Sequence, residues 1–264
     1  MQRRKVLKTA AFSLIALFVL LFSAFFVWSR FTYEPSSKLR KMINLDQIES
    51  KNGVYTFQAD GANTGIILYP GAKVEPLAYA YIGEKLKQNG YSVFIPRMPF
   101  SLAIFNPDQA ERIIKENSSI DHWYLGGHSL GGTAAAMYAK KHPDKIDGLY
   151  FLASYPSDSQ SIKSAPYRVL SISGERDGLS TQDKIASSRK NLPDTTVFKE
   201  IKEGNHAQFG MYGEQRGDRP AQIPAVKQQD EIVNAMLDWI QIIKKALAFR
   251  ESFFLFMNHS FKAL

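Results

Sequence analysis

The sequence predicts an α/β domain built on a doubly wound, mostly parallel sheet, preceded by one apolar helix long enough to span a membrane. Short β-branched or aromatic runs alternate with longer segments of helical spacing, and glycine or proline ends most of the helical segments, which predicts the domain. An uncharged run of apolar residues near the amino terminus predicts the helix. A chain with 45% hydrophobic and 22% charged residues is neither disordered nor fibrous.

Residues 9–28 carry no charge, and at about 1.5 Å per residue they span about 30 Å of hydrocarbon. Residues 1–8 are a basic tail, which we expect to stay in the cytoplasm. A cleaved signal peptide and a buried core helix are the alternatives, but the run is longer than a signal-peptide core and ends in bulky residues. We therefore expect an uncleaved signal anchor that crosses the cell membrane once and leaves the domain outside.

Buried parallel strands are predicted at five short apolar runs, and the later run T-V-F-K-E-I is predicted as a further strand. Val54–Gln58 is expected to be an antiparallel edge strand, and Ala225–Leu247 a long amphipathic helix that closes the domain. Residues 52–247 thus form the predicted domain, 29–51 a linker, and 248–264 a tail without an assigned role. The five runs are Gly65–Tyr69, Tyr91–Pro96, His122–Gly126, Gly148–Ala153 and Arg168–Ser173, and the helical segments between strands are Pro76–Asn89, Pro107–Asn117, Leu130–His142 and Gln182–Leu192.

The charge of the chain does not require a polyanionic partner. Lys and Arg number 33 against 25 Asp and Glu, but four of the basic residues lie in residues 1–8, so residues 30–264 carry 29 minus 25, or +4. We therefore expect no nucleic-acid partner. The absence of cysteine excludes disulfides, thiolate metal sites and a cysteine nucleophile. The sequence has no phosphate-loop motif, dinucleotide fingerprint or cluster of metal ligands, so neither a cofactor nor a metal is expected.

The most informative stretch is G-H-S-L-G at residues 127–131, which joins an apolar strand to an alanine-rich helix. A serine on a strained strand-to-helix turn needs glycines two positions before and after it, because side chains there would collide with the neighbouring strand and helix. The turn exposes the Ser129 hydroxyl and leaves the Leu130 N–H free to stabilise an oxyanion. Ser129 is therefore the candidate nucleophile, with a phosphate-binding turn or plain tight packing as the alternatives.

A serine nucleophile needs a base, and the base needs an acid that orients it. In doubly wound folds with such a turn, the acid and then the histidine follow in loops after late strands. Asp177 lies in G-E-R-D-G after the strand R-V-L-S-I-S, and His206 lies in K-E-G-N-H-A after T-V-F-K-E-I. Both positions are at carboxyl ends of strands, where open α/β sheets bind ligands. Asp177 and His206 are therefore the candidate acid and base.

Other residues fit these roles less well. Glu175 shares the acid loop with Asp177, and Asp183 falls inside a predicted helix. His128 adjoins the nucleophile, where we expect it to pack under the site. The other histidines are His122 at the start of a strand, His142 at the end of a helix and His259 in the tail.

The second oxyanion donor is expected from the loop after an early central strand. The strand G-I-I-L-Y ends in P-G-A-K at residues 70–73, and the glycine lets the backbone bend toward the nucleophile. The Ala72 N–H is the candidate donor, and a tight turn without a role is the alternative.

Together, G-H-S-L-G, G-E-R-D-G and G-N-H-A resemble the α/β-hydrolase superfamily over about residues 52–245. Y-P-G-A-K-V-E-P and N-H-A-Q-F-G-M-Y-G-E-Q-R-G-D are similar to a bacterial branch of small, lid-poor enzymes like the dienelactone hydrolases. The resemblance implies an α/β-hydrolase fold and carboxylic-ester hydrolysis through an acyl-enzyme. Two positions depart from it. Pro70-Gly71 replaces the His-Gly pair of many esterases, and Ser129 replaces the cysteine of dienelactone hydrolases proper, whose substrate is therefore not expected.

The loop between Ala153 and Tyr167 is too short for the cap that larger relatives insert there, so the predicted pocket is shallow and open. The predicted function is a membrane-anchored serine hydrolase of carboxylesterase type that acts on small or extended esters, a small-molecule substrate. A cell-envelope acyltransferase with the same triad and a non-catalytic binding protein on a hydrolase fold are the alternatives. Ser129 excludes a haloalkane dehalogenase, which needs an aspartate nucleophile. Candidate pocket walls, for which core packing is equally expected, are Phe100, Tyr155, Phe209 and Tyr212.

Overall fold

The computed structural model describes residues 2–261, with side chains described for residue 4 and residues 7–245. Its centre is an eight-stranded sheet in the order β1-β2-β4-β3-β5-β6-β7-β8. β1 and β2 pair antiparallel with their neighbours, and all other neighbours are parallel, which confirms the predicted mostly parallel sheet. The strands are β1 (Glu49–Lys51), β2 (Val54–Phe57), β3 (Thr64–Tyr69), β4 (Ser92–Pro96), β5 (His122–His128), β6 (Gly148–Leu152), β7 (Arg168–Gly174) and β8 (Val197–Ile201).

Helices cover both faces of this sheet. Because side chains alternate along a strand, Ile66 and Leu68 of β3 enter one apolar core and Ile67 enters the other. The first core includes Trp239 from the last helix, and the second includes Tyr138. The helices are α1 (Gln2–Ser29), α2 (Ser37–Met42), α3 (Ala80–Gln88), α4 (Gln109–Glu116), α5 (Leu130–Lys141), α6 (Gln182–Ser188) and α7 (Ala225–Phe261).

The beginning of the domain differs from the sequence prediction. Val54–Gln58, the predicted edge strand, corresponds to β2, which is an interior strand because β1 pairs with its outer side. β1 and α2 both fall within residues 29–51, the predicted linker, and Leu39 and Leu45 of that segment are buried in the core. The run Glu-Ser-Lys of β1 is exposed throughout and has no apolar alternation, so sequence pattern gives no sign of it.

The end of the domain also differs from the prediction. α7 does not stop at Leu247 but continues to Phe261, through most of the predicted tail 248–264. No glycine or proline occurs in residues 248–261, so the sequence contains no helix-ending signal there. Residues 262–264 lie outside the described part of the chain.

α1 is the one apolar helix in residues 2–261 with the length to cross a membrane. Its segment Leu7–Ser29 has 23 residues, and the most apolar 18-residue window in it has a mean hydropathy of 2.6 and is not buried by the rest of the protein. A helix of this length and composition matches the hydrocarbon thickness of a bilayer.

Candidate active site

Ser129 occupies the turn between β5 and α5 in a strained backbone conformation, with φ 51° and ψ −123°. A Cβ atom at Gly127 or at Gly131 would collide with the carbonyl oxygen of Tyr69. The neighbouring strand therefore accepts only glycine at these two positions. The Ser129 N–H donates to the carbonyl of Leu152, 3.0 Å away, which fixes the turn against β6.

Two backbone amides beside Ser129 are available to an oxyanion. The N–H of Leu130 begins α5, where no intrahelical acceptor exists. Ala72 follows the end of β3, and the pairing of Tyr69 with Gly127 brings that end to the start of the serine turn. Among the described residues, no hydrogen bond is formed by either the Leu130 or the Ala72 N–H. Neither N–H is thus used within the described part of the chain, which is compatible with the oxyanion role expected for both amides.

Asp177 and His206 are in direct contact. The His206 Nδ1 lies 2.8 Å from Asp177 Oδ2, and both side chains are at least 99% buried. The other carboxylate oxygen accepts hydrogen bonds from the N–H groups of Leu179 and Ser180, at 2.8 and 2.6 Å. These donors stabilise the ionised carboxylate. Asp177 is therefore arranged to orient the imidazole ring of His206.

The other ring nitrogen of His206, Nε2, has no hydrogen-bond partner within the described part of the chain. Its Nε2 is buried and makes no hydrogen bond with any described residue, the Ser129 hydroxyl included. His206 lies beside the serine turn, because its ring centroid is 4.6 Å from that of His128, the residue before Ser129. Buried polar atoms are normally satisfied, so an orphan nitrogen here is available for a substrate or a nucleophile.

The competing acids and histidines lie elsewhere. The Glu175 carboxylate accepts the Glu203 N–H at 2.8 Å, which lowers the pKa of this exposed side chain. Asp183 is exposed on α6. His122 contacts Asp147 at 3.2 Å, at the end of β5 opposite the serine turn. Among the described side chains, Asp177 is the one carboxylate within hydrogen-bond distance of the His206 ring.

His128 is buried beneath the site and connects it to the loop of residues 70–73. Its Nδ1 lies 2.8 Å from the Tyr79 hydroxyl, which accepts the Gly71 N–H at 2.9 Å. Burial, reinforced by the neighbouring His206, holds the pKa of His128 well below its ordinary value of 6.5. His128 is therefore a neutral positioning group between the candidate base and the loop that carries Ala72.

Asp218 and Arg219, which no sequence motif marks as site residues, join the acid and histidine loops. Asp218 accepts the N–H groups of Gly178 and Ala207, both at 2.9 Å. The Arg219 guanidinium donates to the carbonyl of Asp177 at 2.9 Å. Both belong to the polar run R-G-D-R at residues 216–219. Only a comparison with related sequences could have indicated their role.

The predicted pocket walls have different environments. Phe209 and Tyr212 are core residues, 0% and 7% exposed, and their rings pack against the ring of His128. Tyr155 is half-buried, and Phe100 lines a cavity beside the end of α1. Between β6 and β7 the only regular element is the one-turn 3-10 helix Asp158–Gln160, so this loop forms no cap. Within the described residues, no three acidic or histidine side chains converge as metal ligands.

Residues 65–230 match the model of the alpha/beta hydrolase family. No curated protein matches the sequence of the chain. The fold is shared by many solved structures, among them the following three. A predicted CIB-like hydrolase from Thermoplasma acidophilum is 15% identical with a TM-score of 0.57, covering 74% of this chain and 96% of its own. An alpha/beta hydrolase enzyme from a lagoon-sediment metagenome is 16% identical with a TM-score of 0.56, covering 74% and 98%. A carboxylesterase from Nitrososphaera gargenis is 12% identical with a TM-score of 0.56, covering 75% and 99%.

Proposed function

Because the chain belongs to the alpha/beta hydrolase family, we propose that it is a serine hydrolase of carboxylesterase type, held at the membrane by α1. The observation that supports this most strongly is the buried His206, oriented by Asp177 at 2.8 Å and carrying an unpartnered Nε2. A histidine with one nitrogen fixed by a carboxylate and the other free is the general base that a serine nucleophile needs.

In the proposed reaction, the Ser129 oxygen attacks the acyl carbon of an ester while His206 Nε2 takes the hydroxyl proton. The Leu130 and Ala72 N–H groups stabilise the oxyanion that forms on the former carbonyl oxygen. As the carbon–oxygen bond to the alcohol breaks, His206 returns the proton to the leaving alcohol. Water then attacks the acyl-enzyme by the same route, releasing the acid and restoring Ser129.

The uncapped loop between β6 and β7 supports small or extended esters as substrates, because nothing there encloses a long acyl chain on all sides. The carboxylesterase of N. gargenis, which shares the fold, is consistent with this chemistry. We further propose that α1 is an uncleaved anchor, with residues 1–8 in the cytoplasm and the hydrolase domain outside the cell.

Hydrolysis of p-nitrophenyl acetate by the full chain in detergent tests this function. We expect turnover that Ser129→Ala abolishes, while Ser157→Ala, a matched change of an exposed serine, leaves it within about twofold. Turnover that survives in Ser129→Ala would contradict the proposed nucleophile. A folded wild-type chain that cleaves no ester in a panel of acyl lengths would contradict the function itself.

A further inference from the structure

An aromatic patch joins the end of α1 to the domain. The ring centroid of Phe25 lies 5.3 Å from that of Phe100 and 6.1 Å from that of Phe105. Phe105 and Ile104 belong to the domain, yet they are 52% and 40% exposed. We define the aromatic patch as Phe25, Phe26, Phe100, Ile104 and Phe105.

The aromatic patch continues the exposed apolar surface of α1. Trp28 is 49% exposed at the end of the helix, and Phe31 is 71% exposed just after it. Leaving such a continuous apolar surface in water costs about 25 cal/mol per Å². A bilayer that surrounds α1 would cover the helix and the aromatic patch together, with Trp28 at the depth that tryptophan favours.

The chain after α1 is bonded directly to the loop that carries Ala72. Tyr33 donates its N–H to the carbonyl of Lys73 at 2.6 Å and accepts the Glu75 N–H at 3.0 Å. The Lys73 ammonium lies 4.0 Å from the centre of a Trp28 ring. Tyr33 is the fourth residue after Ser29, and four extended residues span at most about 14 Å. The end of α1 therefore holds the candidate oxyanion loop close to the membrane surface.

Backbone strain marks the place where these segments meet. Phe100, Ser101 and Lys73 all have positive φ, at 53°, 56° and 60°, although none is glycine. The Lys73 N–H donates to the carbonyl of Ser101 at 2.8 Å, which joins the two strained loops. Such conformations persist where surrounding contacts impose them, and they concentrate at functional sites. Here the surrounding contacts come from the end of α1.

We infer that the aromatic patch lies in the interface of the bilayer spanned by α1, and that Ser129 acts on amphiphilic esters held in that bilayer. The membrane is the partner because the patch is continuous with the surface of the spanning helix. The ester half of this inference rests on the proposed serine hydrolase, and the membrane half rests on the proposed anchor α1.

A cavity of about 540 Å³ lies between the end of α1 and the domain. Phe26 and Phe100 of the aromatic patch line it, and so does Pro70, the first residue of the loop that carries Ala72. Its polar lining includes Arg30 and Arg97. An ester with its apolar chain among the lipids would therefore enter the cavity beside this loop without leaving the membrane surface.

Single-cysteine labelling tests the membrane half, because the native chain has no cysteine. Phe105→Cys and Ile104→Cys carry the fluorophore NBD in the full chain, reconstituted in phosphatidylcholine vesicles. Val197→Cys is the matched control, because Val197 is 43% exposed and begins β8 at the end of the sheet opposite the active site. We expect blue-shifted emission, quenched by spin-labelled lipid, at 104 and 105 only. Water-like emission at 105, equal to that at 197, in chains that float with the vesicles on a sucrose gradient would overturn the inference alone. Chains that do not float would overturn the proposed anchor together with the inference.

Two esters test the other half in the same vesicles: p-nitrophenyl acetate in the water and 4-methylumbelliferyl oleate in the bilayer. We expect Phe105→Ser to lower kcat/KM for the oleate about tenfold, and for the acetate less than about twofold. Val197→Ser should change neither. Equal losses on both esters, or cleavage of acetate alone by the wild-type chain, would overturn the inference. If neither ester is cleaved, the proposed function fails, while the labels still decide where the aromatic patch lies.

Discussion

The two sides of the candidate site are built in different ways. On the acid–base side, Asp177 and His206 are buried and held by hydrogen bonds between the loops after β7 and β8. On the oxyanion side, Ala72 and Lys73 are half-buried, and their loop is bonded to the chain that leaves α1. In the proposed reaction, the first side carries the proton transfer, and the second controls how substrates reach Ser129. Changes on the first side should alter the turnover of every ester, and changes around the second should alter which esters reach Ser129.

The largest effect should come from the nucleophile. Ser129→Ala should lower kcat by about 10⁴- to 10⁶-fold, because no other described group can form the acyl-enzyme. Ser129 is only half-buried, so the free energy of unfolding should change little. Steady-state kinetics together with urea unfolding check both statements. A large loss of stability would mean that the lost activity reports misfolding rather than chemistry.

The next largest effect should come from the acid. Asp177→Asn should lower kcat by about 10⁴-fold, because an amide cannot hold the imidazole in the required tautomer. Glu175→Gln is the matched control in the same loop, and it should leave kcat within about twofold. The reverse order of these two effects would transfer the acid role to Glu175.

A smaller effect should come from the group that connects the two sides. Tyr79→Phe removes the acceptor of the Gly71 N–H and the partner of His128, so kcat should fall about tenfold. The buried Gly71 amide then lacks a partner, which should cost about 1–3 kcal/mol of unfolding free energy.

Tyr150→Phe serves as the control for Tyr79→Phe, because the buried Tyr150 hydroxyl donates to the Ile67 carbonyl away from the site. It should lower stability by a comparable amount and leave kcat unchanged. If both variants lose kcat in proportion to stability, Tyr79 has no positioning role.

The smallest effect should appear in the dependence of stability on pH. His128 stays neutral in the folded protein because its pKa is held well below 6.5, whereas the unfolded imidazole binds a proton near that pH. The unfolded state then binds more protons, so the free energy of unfolding falls as pH falls from 7 to 5. Below pH 6.5, the free energy of unfolding of the wild-type protein should fall by up to about 1.4 kcal/mol per pH unit relative to that of His128→Gln. Parallel curves for the two proteins would contradict a neutral buried His128.

The sequence predicts the parts of the molecule whose signals are local. The parallel strands β3 to β7 are short apolar runs, and the serine turn follows from glycines that leave no room for a side chain. Asp177 and His206 are predictable because each follows a strand end in the expected chain order. Their contact at 2.8 Å depends on the register of β7 and β8, which the sequence does not specify.

The parts that the sequence does not predict depend on distant contacts. β1 is a polar run that becomes a strand only because β2 pairs with it. In the sequence Tyr79 resembles any aromatic core residue, and only the fold brings the Gly71 N–H and the His128 ring to its hydroxyl. The residues after α1 resemble a linker in sequence. Tyr33 is nevertheless bonded to Lys73 and Glu75, about 40 residues away in the chain, and such distant contacts leave no local sequence signal. The contacts around the oxyanion loop are thus harder to predict from the sequence than the acid–base pair.

Whether Ser129 is an activated nucleophile is tested by the intact mass of the full chain after treatment with a fluorophosphonate, followed by peptide mapping. We expect one covalent adduct, located on Ser129 and absent from Ser129→Ala. Asp177→Asn should form that adduct much more slowly, because His206 then lacks its orienting partner. A folded chain that forms no adduct, or one that is labelled equally in Ser129→Ala, would contradict an activated serine at this site.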